Sequence, residues 1–224
     1  MKDLNQGLFD FIAGSPTCFH AVHSAAKALD QAGFCHLSEG SAWKLEAGKG
    51  YYVTRNQSSL IAFRMPETLR SFMIAAAHTD SPCFRLKDNA TVQAEGYSKL
   101  DANKYGGMIF YTWLDRPLSV AGRVMISTDQ GVESRLVNLE QDLLVIPSLA
   151  PHMDRSINEG KKFTAQIDLM PLLGKGNVDI LELVAKELGV DRKQILAQDL
   201  FVYNRETGTK LGADGELILC PRLD

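Results

Sequence analysis

Cysteine is scarce in this sequence: four in 224 residues, with no C-x-x-C pair among them. The scatter of Cys18, Cys35, Cys83 and Cys220 argues against both a zinc ribbon and a disulfide framework. Long apolar runs are missing too, none approaching the ~18 residues of a membrane span. The opening MKDLNQGLFDF lacks the charged-then-apolar pattern of a signal peptide, so the expected compartment is the cytoplasm. Neither sign of charge is in large excess. With 24 Lys and Arg against 27 Asp and Glu, the net charge of −3 suggests neither a nucleic-acid nor a membrane partner. There is no internal repeat, and no G-x-S-x-G elbow, which disfavours a serine hydrolase.

What remains is the composition of a globular protein with a real core, 45% apolar and 23% charged, sized for one large domain or two modest ones. SPTCFHAVHSAAKALDQAGF predicts a helix from an N-cap at Ser15 or Thr17 to Gly33, with Phe19, Val22, Ala26 and Leu29 facing the core. YYVTRNQSSLIAFRMP reads as two strands joined by a polar turn. After Pro82 the texture changes to short strand-like segments, MIFYTWL among them, separated by Gly, Asn, Asp and Pro. That pattern suits a small antiparallel sheet or barrel. One amphipathic helix, from near Asn177 to Gly189, precedes the strands DLFVYN and ELILC. The expected organisation is an α/β domain interrupted by a β-rich insert: 1–84, then 85–212 inserted, then 213–224 returning to the first domain.

The stretch SFMIAAAHTDSP, residues 71–82, carries the chemistry of interest. Its apolar run closed by a turn signal predicts a strand buried on both faces. Functional groups sit just beyond the carboxyl ends of such strands. His78 and Asp80, two residues apart, would point the same way. The carboxylate could fix the histidine tautomer for metal binding, or orient a base for acyl transfer. A turn with its histidine satisfied by backbone is the plain alternative. GELILCPRLD reads as a second apolar strand, closing on Asp224. Imidazole with carboxylate suits zinc, manganese or cobalt. His20, His23 and His36 read as structural. His152 lies in the proline-bounded loop IPSLAPHMDRSIN beside Asp154 and Arg155, where functional histidines concentrate. Trp113, Asp115 and Arg116 read as packing and an ion pair.

Five blocks in order, SPTCFHAV, AAHTDSP, YGGMIFYTWLDRPLSVAGRV, IPSLAPHMDRSINEG and PRLD, resemble the M18 family of metallo-aminopeptidases (aspartyl aminopeptidases and bacterial relatives) over essentially the whole chain. The resemblance implies a zinc-dependent exopeptidase that removes N-terminal residues, often acidic ones, from peptides by a water activated on two metals; manganese or cobalt are alternatives. It implies an α/β catalytic domain interrupted by a β-rich oligomerisation domain, and homo-oligomers built from dimers up to dodecamers. By the same resemblance His78 is a metal ligand, Asp80 its catalytic orienting partner, and Asp224 the carboxylate bridging both metals. His152 matches a loop histidine that binds substrate across a subunit interface or, on another reading, metal. Cys18 departs from the proline that relatives tend to have. The family's Glu-Glu general base and its further Asp and His ligands follow the PRLD block, and no such segment occurs here. The expectation is therefore an incomplete catalytic domain and an inactive isolated chain. A non-catalytic oligomerisation or partner-binding module is the competing reading.

Overall fold

Sequence periodicity becomes helix and sheet as follows in the computed structural model, which describes residues 3–223. The chain divides into two compact units, meeting in sequence between Ser81 and Pro82. In the first, α1 (Leu4–Ala13) starts where the Asp3 side chain accepts a bond from the Asn5 amide at 3.1 Å. Helix α2 (Cys18–Gln31) starts after Thr17 and ends two residues before Gly33, whose φ of 77° no side chain would favour. Phe19 and Val22 are buried, whereas Ala26 and Leu29 are only half-buried, so the core-facing stripe is shorter than its spacing predicts.

Strand β1 (Cys35–His36) runs parallel to β2 (Gly50–Arg55), which pairs antiparallel with β3 (Ser59–Arg64). Asn56 and Gln57 in the connecting turn have φ of 52° and 57°, the left-handed pair that matches strand twist in a tight hairpin. Tyr51, Tyr52 and Val53 of β2 are buried.

The run 71–77 corrects the sequence reading. It forms no strand, and Phe72, Met73 and Ile74 are 77%, 101% and 84% exposed. A strand buried on both faces needs partner strands and covering layers. Among the described residues none pairs with this run, so the composition of a buried strand is present without its ladder.

The second unit is built on β4 (Cys83–Ala94), β5 (Tyr97–Tyr105), β6 (Leu118–Thr128) and β7 (Gly131–Asn138), followed by α3 (Ala165–Asp168), β8 (Leu172–Lys175), α4 (Ile180–Leu188) and β9 (Ile195–Asn204). The six strands make one antiparallel sheet in the order β7-β6-β9-β4-β5-β8. Alternation along the strands sends Leu118, Val120, Val124 and Ile126 of β6, Leu200 and Val202 of β9, and Phe84 and Leu86 of β4 to one core. Ile180, Leu181, Val184 and Ala185 of α4 join it. That helix is capped by Asp179, which accepts from the Leu181 amide at 3.1 Å, and ends on left-handed Gly189.

Gly122 of β6 stands opposite Leu200 of β9, and a Cβ there would collide with the Asp199 backbone carbonyl. Across the same pair of strands Asp199 takes Arg123 at 3.0 Å and, from β4, Arg85 at 2.6 Å. MIFYTWL is not a strand: Phe110–Trp113 is a 3-10 turn. The Thr112 and Leu114 amides donate back to Ile109 and Tyr111, and the aromatics that raise its β-propensity pack edge-on against Phe84 and Phe163 instead. The hairpin of β10 (Thr209–Leu211) and β11 (Leu217–Leu219) follows; its leucines are exposed, while Cys220 beyond it is buried. ELILC thus contains a strand, which among the described residues pairs with β10 rather than joining a sheet with 71–77. Among the described residues no helix is long and apolar enough to cross a membrane.

Candidate metal and substrate site

His78 and Asp80 do meet, though through a bend at Thr79 rather than by strand alternation. His78 Nδ1 lies 2.8 Å from the Asp80 backbone carbonyl and 3.2 Å from Asp80 Oδ1. Both partners are acceptors, so Nδ1 carries a hydrogen. The Thr79 hydroxyl donates to the Ser58 carbonyl at 2.7 Å, tying the bend to the β2–β3 turn. An imidazole with one nitrogen fixed by carboxylate and carbonyl has the orientation and basicity of a metal-ligating histidine. The His78 side chain is 56% exposed.

The remaining ligands are another matter. Among the described residues no group of three His, Cys, Asp or Glu could hold a metal ion. Asp224, read from the sequence as a metal ligand, lies outside the described residues. Among the described residues, then, the His78–Asp80 pair offers one candidate ligand position together with its partner.

His152 belongs to the second unit and is exposed. Its loop is a series of turns: the Met153 and Asp154 amides both donate to the Ala150 carbonyl, at 2.9 and 3.1 Å. Asp154 Oδ1 accepts from the Ser156 hydroxyl at 2.7 Å and the Ser156 amide at 3.1 Å. The Ser156 bond, with help from Lys161, holds the Asp154 carboxyl below the usual carboxylate range. Lys161 and Asp168, which also bond into this loop, went unread in the sequence. Nothing periodic marks an ion pair that spans a loop.

The residues read as structural behave so. Trp113 is buried edge-on against Phe84. Asp115 accepts from the Ser148 amide at 2.9 Å, and its pKa is lowered by the Ser148 side chain first and then by that amide; Arg116 pairs with Glu206 at 2.6 Å. His36 stacks on Tyr52 at 4.9 Å. His20 Nδ1 lies 2.9 Å from the Thr17 hydroxyl at the start of α2. Burial first, and then neighbouring His23, pushes the His20 pKa down to about 4.

A histidine that resists protonation in the fold makes stability depend on acidity. Between about pH 6.5, its ordinary value, and about 4, the unfolded chain binds the proton and the folded chain does not. Stability from His20 is full above that window and is lost as pH falls through it, by at most about 3 kcal/mol. Urea midpoints should drop across the window, and His20→Gln should flatten the drop. An unchanged slope in the variant would assign the acid sensitivity elsewhere.

Comparisons with known proteins bear directly on this geometry. A model of the family "Aminopeptidase I zinc metalloprotease (M18)" matches residues 11–224. A probable M18 family aminopeptidase 2 of Clostridium novyi (strain NT) is 43% identical over 229 residues, which cover 97% of this chain and 53% of the relative. Among solved structures, the cryo-EM structure of the Ape4 and Nbr1 complex matches with a TM-score of 0.94 at 37% identity. That match covers 98% of this chain and 47% of the other. The S. cerevisiae mApe1 dodecamer matches with a TM-score of 0.81 at 28% identity, over 99% of this chain and 52% of the other. The chain spans about half the length of the curated relatives it matches. With a family match running through both the His78–Asp80 bend and the His152 loop, the chain belongs to the M18 family of aminopeptidases.

Proposed function

We propose that this chain supplies part of the catalytic apparatus of a zinc-dependent aminopeptidase that removes N-terminal residues, acidic ones included, from peptides. The observation that carries the reading is the His78–Asp80 pair: Nδ1 is held by Asp80, which leaves Nε2 as the ligand nitrogen. Asp80 maintains that tautomer and the ring orientation. Asp224 is assigned the bridging carboxylate of a two-metal centre, and zinc held by these residues would lower the pKa of a bound water and polarise the scissile carbonyl. His152, on its exposed loop, is assigned to substrate binding in a neighbouring subunit of a homo-oligomer. The dodecameric state of mApe1 supports assembly of this kind. In the same reading 85–212 is the inserted oligomerisation domain between catalytic segments 1–84 and 213–224, in the cytoplasm. The six-stranded sheet supports the insert, and the break between Ser81 and Pro82 falls close to its first boundary.

The test uses the whole protein that carries this sequence. It should release the first residue from peptides beginning with Asp, Glu or Leu, fail on the same peptides when N-acetylated, and stop when metal is chelated. Cleavage of the blocked peptides would indicate a general amidohydrolase. Absence of any peptide release from a zinc-loaded, assembled protein would favour the non-catalytic assembly module.

A further inference from the structure

The loop that carries His152 contains no helix or strand between Pro151 and Thr164, yet it is fastened at two points. Phe163 stands edge-on to Phe110 and Tyr111, with ring centres at 6.1 and 5.4 Å. Between the fastenings of the chain, Lys161 Nζ lies 3.3 Å from Asp154 Oδ2 and 3.5 Å from Asp168 Oδ1. The Lys161 side chain is only 17% exposed, and its two carboxylate partners 22% and 25%. Each carboxylate is itself fixed by the backbone: Asp154 by Ser156, and Asp168 by the Thr164 amide at 2.7 Å. One ammonium thus ties the start of the loop, two residues from His152, to α3 at its end.

We propose that Lys161 is a positioning residue for His152. The inference rests on the substrate-binding role assigned to that histidine above. The physical argument is entropic. A loop without secondary structure loses conformational freedom when a ligand orders it, and a cross-link made beforehand removes much of that loss from the binding step. Lys161 sits well out of solvent, so its two pairings are less screened than a surface ion pair. Without the ammonium, Asp154 and Asp168 face each other with like charge and the loop opens.

The test compares Lys161→Met, Lys161→Arg, His152→Ala and the Lys161→Met/His152→Ala double variant of the whole protein. Lys161→Met should raise KM about tenfold with kcat little changed, the signature of lost substrate binding. Lys161→Arg should restore most of the affinity. In the His152→Ala background Lys161→Met should add no further loss, because nothing remains to be positioned. Trypsin should also cut after exposed Arg155 about tenfold faster in Lys161→Met, since proteolysis of a loop follows its open population. Equal losses in both backgrounds, or unchanged trypsin protection, would overturn the clamp while leaving the role of His152 intact. A His152→Ala enzyme with normal KM and kcat would overturn both.

Discussion

His78→Ala in the whole protein is expected to abolish peptide hydrolysis and to lower the zinc content of the purified enzyme. Zinc in catalytic sites is held by three protein ligands with the fourth position kept for water, and deleting one ligand leaves a coordination that the others cannot complete. The Nδ1 of His78 is engaged by the Asp80 backbone carbonyl at 2.8 Å and lies 3.2 Å from its carboxylate, which fixes the ring. Asp80→Asn separates the two functions of the pair. The ligand survives but its orientation and basicity weaken, and the loss should be about 10–100-fold in affinity or activity. Inductively coupled plasma analysis beside a kcat/KM measurement reads both variants. Full activity with stoichiometric zinc in His78→Ala would remove His78 from the metal site, and a wild-type Asp80→Asn would reduce Asp80 to a turn residue.

The 224-residue chain, purified alone and supplied with zinc or manganese, is expected to release no N-terminal Asp, Glu or Leu from peptides. The reason is ligand count. Only His78 in the described part of the chain has the setting of a zinc ligand, and no three His, Cys, Asp or Glu side chains gather there. Asp224 would bring the total to two, below the three per catalytic zinc that water activation requires. Asp80, committed to His78, is not available to take the proton from that water. Robust hydrolysis by the 224 residues alone would mean that a different set of residues performs the chemistry.

Features set by neighbours in sequence were legible before any coordinates. Helix α4 begins at the Asp179 cap and stops at Gly189, and the β2–β3 hairpin turns at Asn56 and Gln57, because capping and turn geometry act over three or four residues. The meeting of His78 with Asp80 was expected from strand alternation, whereas a bend at Thr79 brings the two together. The state of 71–77 was not legible. Apolar composition records a preference for burial, but burial itself depends on strands that pair from a distance, and none of the described strands does so. MIFYTWL failed similarly, its aromatics finding Phe84 and Phe163 across the fold in place of strand neighbours. Lys161 was invisible because its partners stand seven residues away on either side, and without a helix between 151 and 164 that spacing implies no contact.

The sheet order has a consequence for how the second unit comes into being on the ribosome. Strand β9 lies between β6 and β4, and Asp199 on it pairs with Arg85 at a sequence separation of 114 residues. Until β9 emerges, β4–β5 and β6–β7 exist only as separate hairpins, each with a bare inner edge. At synthesis rates of about 5–20 residues per second, the β4 edge stands open for roughly 5 to 22 s after β4 is complete, and the β6 edge for a shorter time. The β9 strand is then the keystone, and its late arrival closes both hairpins into one sheet. Such long-range closure is slow on the scale of protein folding. The nascent chain is accordingly most vulnerable to wrong pairing in the interval before residue 204 leaves the exit tunnel.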